Sequence, residues 1–135
     1  MSLRTYRFLV LLIVIIPFFA TILAIVLLWN TYVFPLDIVL LLSGVLLTGL
    51  GVTIGFHRMC THEGFHSPDW LRGLFLILGC MAFEGGPMGW TGRHIQHHAH
   101  SDEEGDPHSP LDGFWHSHIG WMLQRDDVFL VHTYA

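Results

Sequence analysis

Two tight groups of histidine stand out in the 135-residue chain: His57-Arg-Met-Cys-Thr-His62 and His94-Ile-Gln-His97-His98. Imidazole nitrogen suits zinc, copper, iron and nickel, whereas magnesium and calcium prefer oxygen ligands. On an α-helix, positions i, i+3 and i+4 share a face, so His94, His97 and His98 are expected to converge on one metal centre. His57 and His62 are five apart, which an ideal helix separates by about 140° around its axis. They converge only if the helix loosens there into a π-bulge, or ends. Five imidazoles exceed one four-ligand zinc site, which favours two metal ions, and no His-Glu-x-x-His segment points to a zinc protease. Neutral imidazoles crowded beside an apolar segment waste polar groups unless something binds them. His66, His100, His116 and His132, each taken singly, are read as surface or satisfied core residues.

The elements that must hold these groups are written in the hydrophobic pattern. The chain is 52% hydrophobic and only 13% charged, against roughly 25% charged in soluble domains, and its mean hydropathy is +0.51. All six basic residues are Arg and the formal net charge is −5, which leaves no basic surface for nucleic acid. Between Arg7 and Arg58 the one formally charged side chain is Asp37. Phe8 to Trp29 and Pro35 to Phe56 are apolar runs of 22 residues each, long enough at about 1.5 Å per residue to cross a hydrocarbon layer of roughly 30 Å. Pro17 is expected to kink the first run, and Pro35 sits at the start of the second, where its missing N–H costs nothing. The first run is too long for a signal-peptide core, and no small-residue cleavage site follows it.

Asn30 to Phe34 leaves room only for a tight turn, so an antiparallel transmembrane hairpin is expected. Arg4, Arg7, Arg58 and Arg72 then share one side, which the positive-inside rule places in the cytoplasm. Gly44, Gly49, Gly51 and Gly55 put small residues on the second helix, and Gly51-x-x-x-Gly55 is read as a packing motif. Beyond His57 the composition turns polar and aromatic. Leu74 to Phe83 is too short to span and fits an interfacial or internally packed helix. Glu84-Gly85-Gly86-Pro87 breaks it, a further helix is expected near Trp90, and Ser101 to Asp112 reads as a loop. The acidic run Asp102-Glu103-Glu104 is read as part of that solvated loop. Cys60 and Cys80 are too few for a disulfide framework and are expected to be buried small hydrophobes. The fold class is thus an all-α membrane protein: a helix hairpin over residues 1–56 (spans about 8–29 and 35–56), then cytoplasmic and interfacial helices carrying the histidines over 57–135.

Gly55-Phe56-His57-Arg58 with His62, then Trp90 before His94-x-x-His97-His98, then Asp106-Pro107-His108 and His118-Ile119-Gly120-Trp121 resemble the membrane fatty-acid desaturases of the stearoyl-CoA and bacterial acyl-lipid delta-9 type. The resemblance covers roughly Gly55 to Leu123, and Glu84-Gly85-Gly86-Pro87 looks like the version in bacterial members. It implies a di-iron enzyme that uses O₂ and two electrons, from a ferredoxin or cytochrome b5 type donor, to introduce a cis double bond into an acyl chain. That chain would be carried on CoA, acyl-carrier protein or membrane lipid. It also implies that His57, His62, His94, His97 and His98 bind iron. Trp90, Asp106, His108 and His118 are expected around the ligand imidazoles, with Asp106 a candidate to orient one through its free N–H.

The chain departs from the family pattern at Glu63, where a basic residue is common, at His66, and at His116, where an aromatic is usual; the two histidines are read as surface positions. The family carries a third His-x-x-His-His box beyond a second pair of membrane helices, and neither precedes Ala135. The chain is therefore expected to be an N-terminal portion, inactive by itself.

Two other readings compete. A membrane di-iron hydroxylase of alkane or sterol type would share the histidine clusters and differ in product. A non-enzymatic haem-binding hairpin or metal-transport module is disfavoured: Phe8 to Phe56 holds no histidine for haem, and the polar residues at membrane depth are only Thr21, Ser43, Thr48 and Thr53.

Overall fold

A computed structural model describes residues 1–29 and 32–124; their regular elements are all helices, with no strand among the described residues. The chain divides into two compact units, one up to Leu46 and one from Leu47 onward. In the first, α1 runs from Leu3 to Leu28 and is started by Ser2, whose Oγ accepts the Thr5 N–H at 3.1 Å. It continues through Pro17. The second helix, α2 (Pro35–Leu50), opens with Pro at its first position and with Asp37 reaching back to accept the Phe34 N–H at 2.8 Å. The isolated charge of the apolar half is therefore a helix cap. Neither helix has a buried residue, and both are long and apolar enough to cross a membrane, the second candidate span running from Pro35 through Thr61. That is five residues beyond the expected end at Phe56.

The extension has a specific cause. From Gly51 to Thr61 the backbone changes to a π-helix, and its last bond, His62 N–H to His57 C=O at 3.1 Å, links residues five apart. Glu63 then turns into the left-handed region (φ 45°), and Gly64 N–H closes on the Arg58 carbonyl at 2.9 Å, which ends the helix.

Helix α3 spans Asp69–Cys80, starting earlier than the apolar run Leu74 to Phe83 because Pro68 and then Asp69 supply a start signal, with the carboxylate at the positive helix end. It ends earlier because Phe83 and Gly85 take positive φ (61° and 101°). It packs antiparallel on the π-helix. Gly55 lies against Phe75, Gly51 lies against the backbone of Leu78 and Gly79, and Gly79 lies under the Phe56 ring, 2.6 Å from where a Cβ would stand. Of the small residues on the second apolar run, Gly51 and Gly55 are thus the packing pair, while Gly44 and Gly49 have nothing within 4 Å of a would-be Cβ. Phe56 is fully buried and Met59 is 2% exposed, each contributing roughly 1.5–3 kcal/mol of burial.

Helix α4 (Pro87–Ala99) begins three residues before Trp90, since Pro87 occupies its first position and Gly86 its cap. Residues 101–109 form the expected loop. A 3₁₀ turn at Pro110–Asp112, the short helix α5 (Phe114–His118) and a second 3₁₀ turn at Gly120–Leu123 follow.

Candidate metal centre

The π-helix is the element that makes the first histidine pair possible. An i→i+5 bonding pattern puts residues five apart on one face, and the Nε2 atoms of His57 and His62 come within 3.1 Å. Helix α4, packed on the π-helix, supplies a second pair: His94 and His98, i and i+4, with Nε2 atoms 3.0 Å apart. The rings of the two pairs interleave, His57 against His94 at 4.7 Å and His62 against His98 at 5.0 Å. One nitrogen from each of the four lies within 4.8 Å of all the others. Two nitrogens bound at about 2.1 Å and at right angles stand about 3.0 Å apart, so the quartet fits the coordination sphere of one ion. Its donor set is imidazole alone, which suits iron, zinc, copper or nickel.

Trp90 forms the wall of this quartet. Its indole stacks on His94 at 4.6 Å, meets His57 edge-on at 6.4 Å and touches Phe56 at 5.9 Å. The indole N–H donates to the Glu84 carboxylate at 2.9 Å, which fixes the ring plane from outside. Desolvation, followed by the neighbouring His98, His57, His97 and His62, pushes the His94 imidazole down to about 4. It is therefore neutral and able to take a metal at pH 7.

His97 does not join the quartet. The expectation that His94, His97 and His98 share one centre treated the face as narrower than it is: an ideal helix puts His97 about 60° to one side of His94 and His98 about 40° to the other. His97 Nδ1 instead stands 3.0 Å from Asp106 Oδ2, and its ring lies 4.4 Å from that of His108. Donor atoms of His97, Asp106 and His108 lie within 4.8 Å of one another. The Asp106 side chain is fully buried. Its Oδ2 also accepts the Asp102 N–H at 3.0 Å, and its Oδ1 accepts the His108 N–H at 3.1 Å. Burial alone would push the carboxyl up; those two backbone donors and His97 outweigh it and hold it below the usual carboxylate range.

The remaining sequence-picked residues fall in different places. His108 packs its ring between His97 and Trp121, the latter at 5.5 Å. His118, expected near the ligand imidazoles, instead stacks on Phe114 at 5.5 Å, one turn away on the same short helix. His66 is exposed as expected. His116 is half-buried rather than on the surface, with Nε2 3.2 Å from the Pro107 carbonyl. His100 packs near Gly105, and His132 lies outside the described residues. The acidic run Asp102-Glu103-Glu104 is exposed. Cys60 is half-buried and Cys80 exposed, against the expectation that both are buried; Cys80 is the last residue of α3, next to Gly79, which is the residue packed against Phe56. Sequence reading placed Glu84 only in the segment that breaks the helix, and gave no role to Gln96, whose side-chain amide donates to the Gly105 carbonyl at 2.8 Å. Gln96 lies within the second histidine cluster, and that place was the available signal.

Residues 35–135 match the family model for fatty acid desaturases. The chain is 51% identical over 75 residues to the sn-1 stearoyl-lipid 9-desaturase of Anabaena variabilis, covering 56% of this chain and 28% of that protein. It is 45% identical over 84 residues to the chloroplastic palmitoyl-monogalactosyldiacylglycerol delta-7 desaturase of Arabidopsis thaliana (62% and 23%). It is 47% identical over 77 residues to the icosanoyl-CoA 5-desaturase of Limnanthes douglasii (57% and 22%). The matched stretch spans less than a third of each of these relatives. No solved structure matches. With the match covering most of the chain and both histidine clusters inside it, the chain belongs to the fatty acid desaturase family.

Proposed function

We propose that this chain is the histidine-bearing membrane portion of a di-iron acyl desaturase that introduces a cis double bond, at the delta-9 position, into an acyl chain. The observation that carries the reading is the quartet of imidazole nitrogens from two helices, within 4.8 Å of one another. His57, His62, His94 and His98 would hold one iron, and His97, turned out of the quartet, would serve a second. Iron so held would supply, with O₂ and two electrons, the redox chemistry that removes two hydrogens from an unactivated chain and that zinc does not provide. The protein's own part is to keep the imidazoles neutral and preorganised, as the burial of His94 and the Trp90 wall do. The acyl chain would be presented on lipid, CoA or acyl-carrier protein, with a ferredoxin or cytochrome b5 type donor supplying electrons. Two of the relatives are named for lipid-linked substrates and one for a CoA substrate, so the carrier stays open among these. The two apolar helices would span the membrane as a hairpin, with the N-terminus and the histidines on the cytoplasmic side.

The test is metal and product analysis of the whole protein. It should contain iron and should yield an alkene from a saturated chain in the presence of O₂ and a reductant. Stoichiometric zinc without iron would sink the redox reading, and an alcohol product would move the enzyme to the membrane hydroxylases. The 135 residues by themselves are proposed to be inactive; desaturation by the purified chain would overturn that.

A further inference from the structure

Asp106 is the most completely satisfied side chain near the histidines. Its carboxylate is fully buried and takes three bonds: from the His97 ring and the Asp102 N–H at Oδ2, and from the His108 N–H at Oδ1. The His108 Nδ1 stands a further 3.6 Å from Oδ1. Two of these donors are backbone groups four residues before and two residues after Asp106, so the loop is wound around the carboxylate. An ionised carboxylate has no proton to give. The proton shared with His97 therefore belongs to Nδ1, and a neutral ring with its proton there has a bare lone pair on Nε2.

We infer that Asp106 is a positioning residue that locks His97 in its Nδ1–H tautomer, leaving Nε2 as the nitrogen free to bind a metal. The inference deepens the metal reading proposed above and rests on it only for what the bare Nε2 is for. The His108 ring at 4.4 Å, itself backed by Trp121, restricts the swing of the His97 imidazole. The loop thus serves as a clamp that holds His97 apart from His94 and His98. The alternative, an ion bound among His97, Asp106 and His108, makes the opposite claim about the same proton. It would displace the proton from Nδ1 and pull the carboxylate from backbone donors that have no other partner in the loop.

The proton can be located directly. The full chain with ¹⁵N-labelled histidine, metal-free in detergent or nanodiscs, gives ring-nitrogen resonances by long-range ¹H–¹⁵N correlation, with His97 assigned from the signal lost in His97→Gln. Nδ1 is expected protonated and Nε2 unprotonated in the wild type. In Asp106→Ala the ring is expected to go over to a mixture dominated by Nε2–H. A wild-type ring protonated at Nε2 overturns the inference, as does an Asp106→Ala ring that keeps Nδ1–H. Loss of the His97 Nδ1 proton on adding Zn(II), with Nε2 still free, also overturns it and favours the three-residue ion site. If Asp106→Ala does not fold, the wild-type tautomer decides the matter by itself. Because the measurement is made without metal, its failure leaves the iron reading standing, and absence of iron at the quartet leaves the tautomer standing.

Discussion

His57 and His62 are five residues apart, and their Nε2 atoms stand 3.1 Å from each other. An α-helix forbids that approach; the π-helical backbone of Gly51–Thr61 permits it, ending in the bond from His62 N–H to His57 C=O. The π-helical segment turns two imidazoles onto one face and presents them to His94 and His98.

Removing one member of the quartet should therefore be far more damaging than removing a histidine elsewhere. His62→Ala or His94→Gln is expected to lower Fe(II) affinity more than about 100-fold, beyond the 10–100-fold typical of an outer hydrogen-bond partner. His66→Ala, at an exposed position, is expected to leave it unchanged. Anaerobic Fe(II) titration of the purified chain measures both, and equal losses in the two kinds of variant would count against the quartet as the site.

The contact of α3 on the π-helix should be intolerant of a single methyl group. Gly79→Ala places a Cβ 2.6 Å from the Phe56 ring, and overpacking of this kind costs about 1–3 kcal/mol. Gly44→Ala meets nothing within 4 Å and is expected to be neutral. Thermal unfolding in detergent, followed by circular dichroism, should separate the two; equal midpoints would refute the packing assignment.

The metal-free protein should lose stability as the pH falls from about 6.5 toward 4. His94 has its imidazole pushed down to about 4 in the fold, from an ordinary value of 6.5. In that window the unfolded chain binds a proton that the folded one refuses, so stability falls with falling pH and levels off below the folded value. Unfolding midpoints across pH 7 to 4 measure the slope. His94→Gln should flatten it, and a slope unaltered in that variant would assign the effect to other groups.

Trp90 should matter through its stacking more than through its N–H. Trp90→Phe keeps a ring beside His94 and loses the bond to Glu84, so metal affinity should drop only a few-fold. Trp90→Ala, which leaves His94 and His57 without their wall, should cost roughly ten-fold, the lower end for a residue that orients a ligand. The same Fe(II) titration reads both variants. An equal loss in the two would shift the weight to the Glu84 hydrogen bond.

By itself the sequence determined what depends on residue type and run length. Apolar stretches of 22 residues pointed to helices with no polar face, and the crowding of imidazoles beside an apolar segment pointed to metal binding. Helix ends were legible where a local group sets them, as at Pro35, and misplaced where the apolar run was taken as the guide, as at Asp69, or where a proline at a helix start was read only as a breaker, as at Pro87. The tertiary structure decided how the histidines are divided. His97 and His98 are neighbours in sequence, but about 100° of helix rotation separates them. Which edge of α4 meets the π-helix and which meets the loop around Asp106 depends on packing. His118 was drawn toward the site by its motif and lies instead against Phe114. Spacing along one helix limits which side chains can meet, and only the contact between Gly51–Thr61 and α4 selects the four that do.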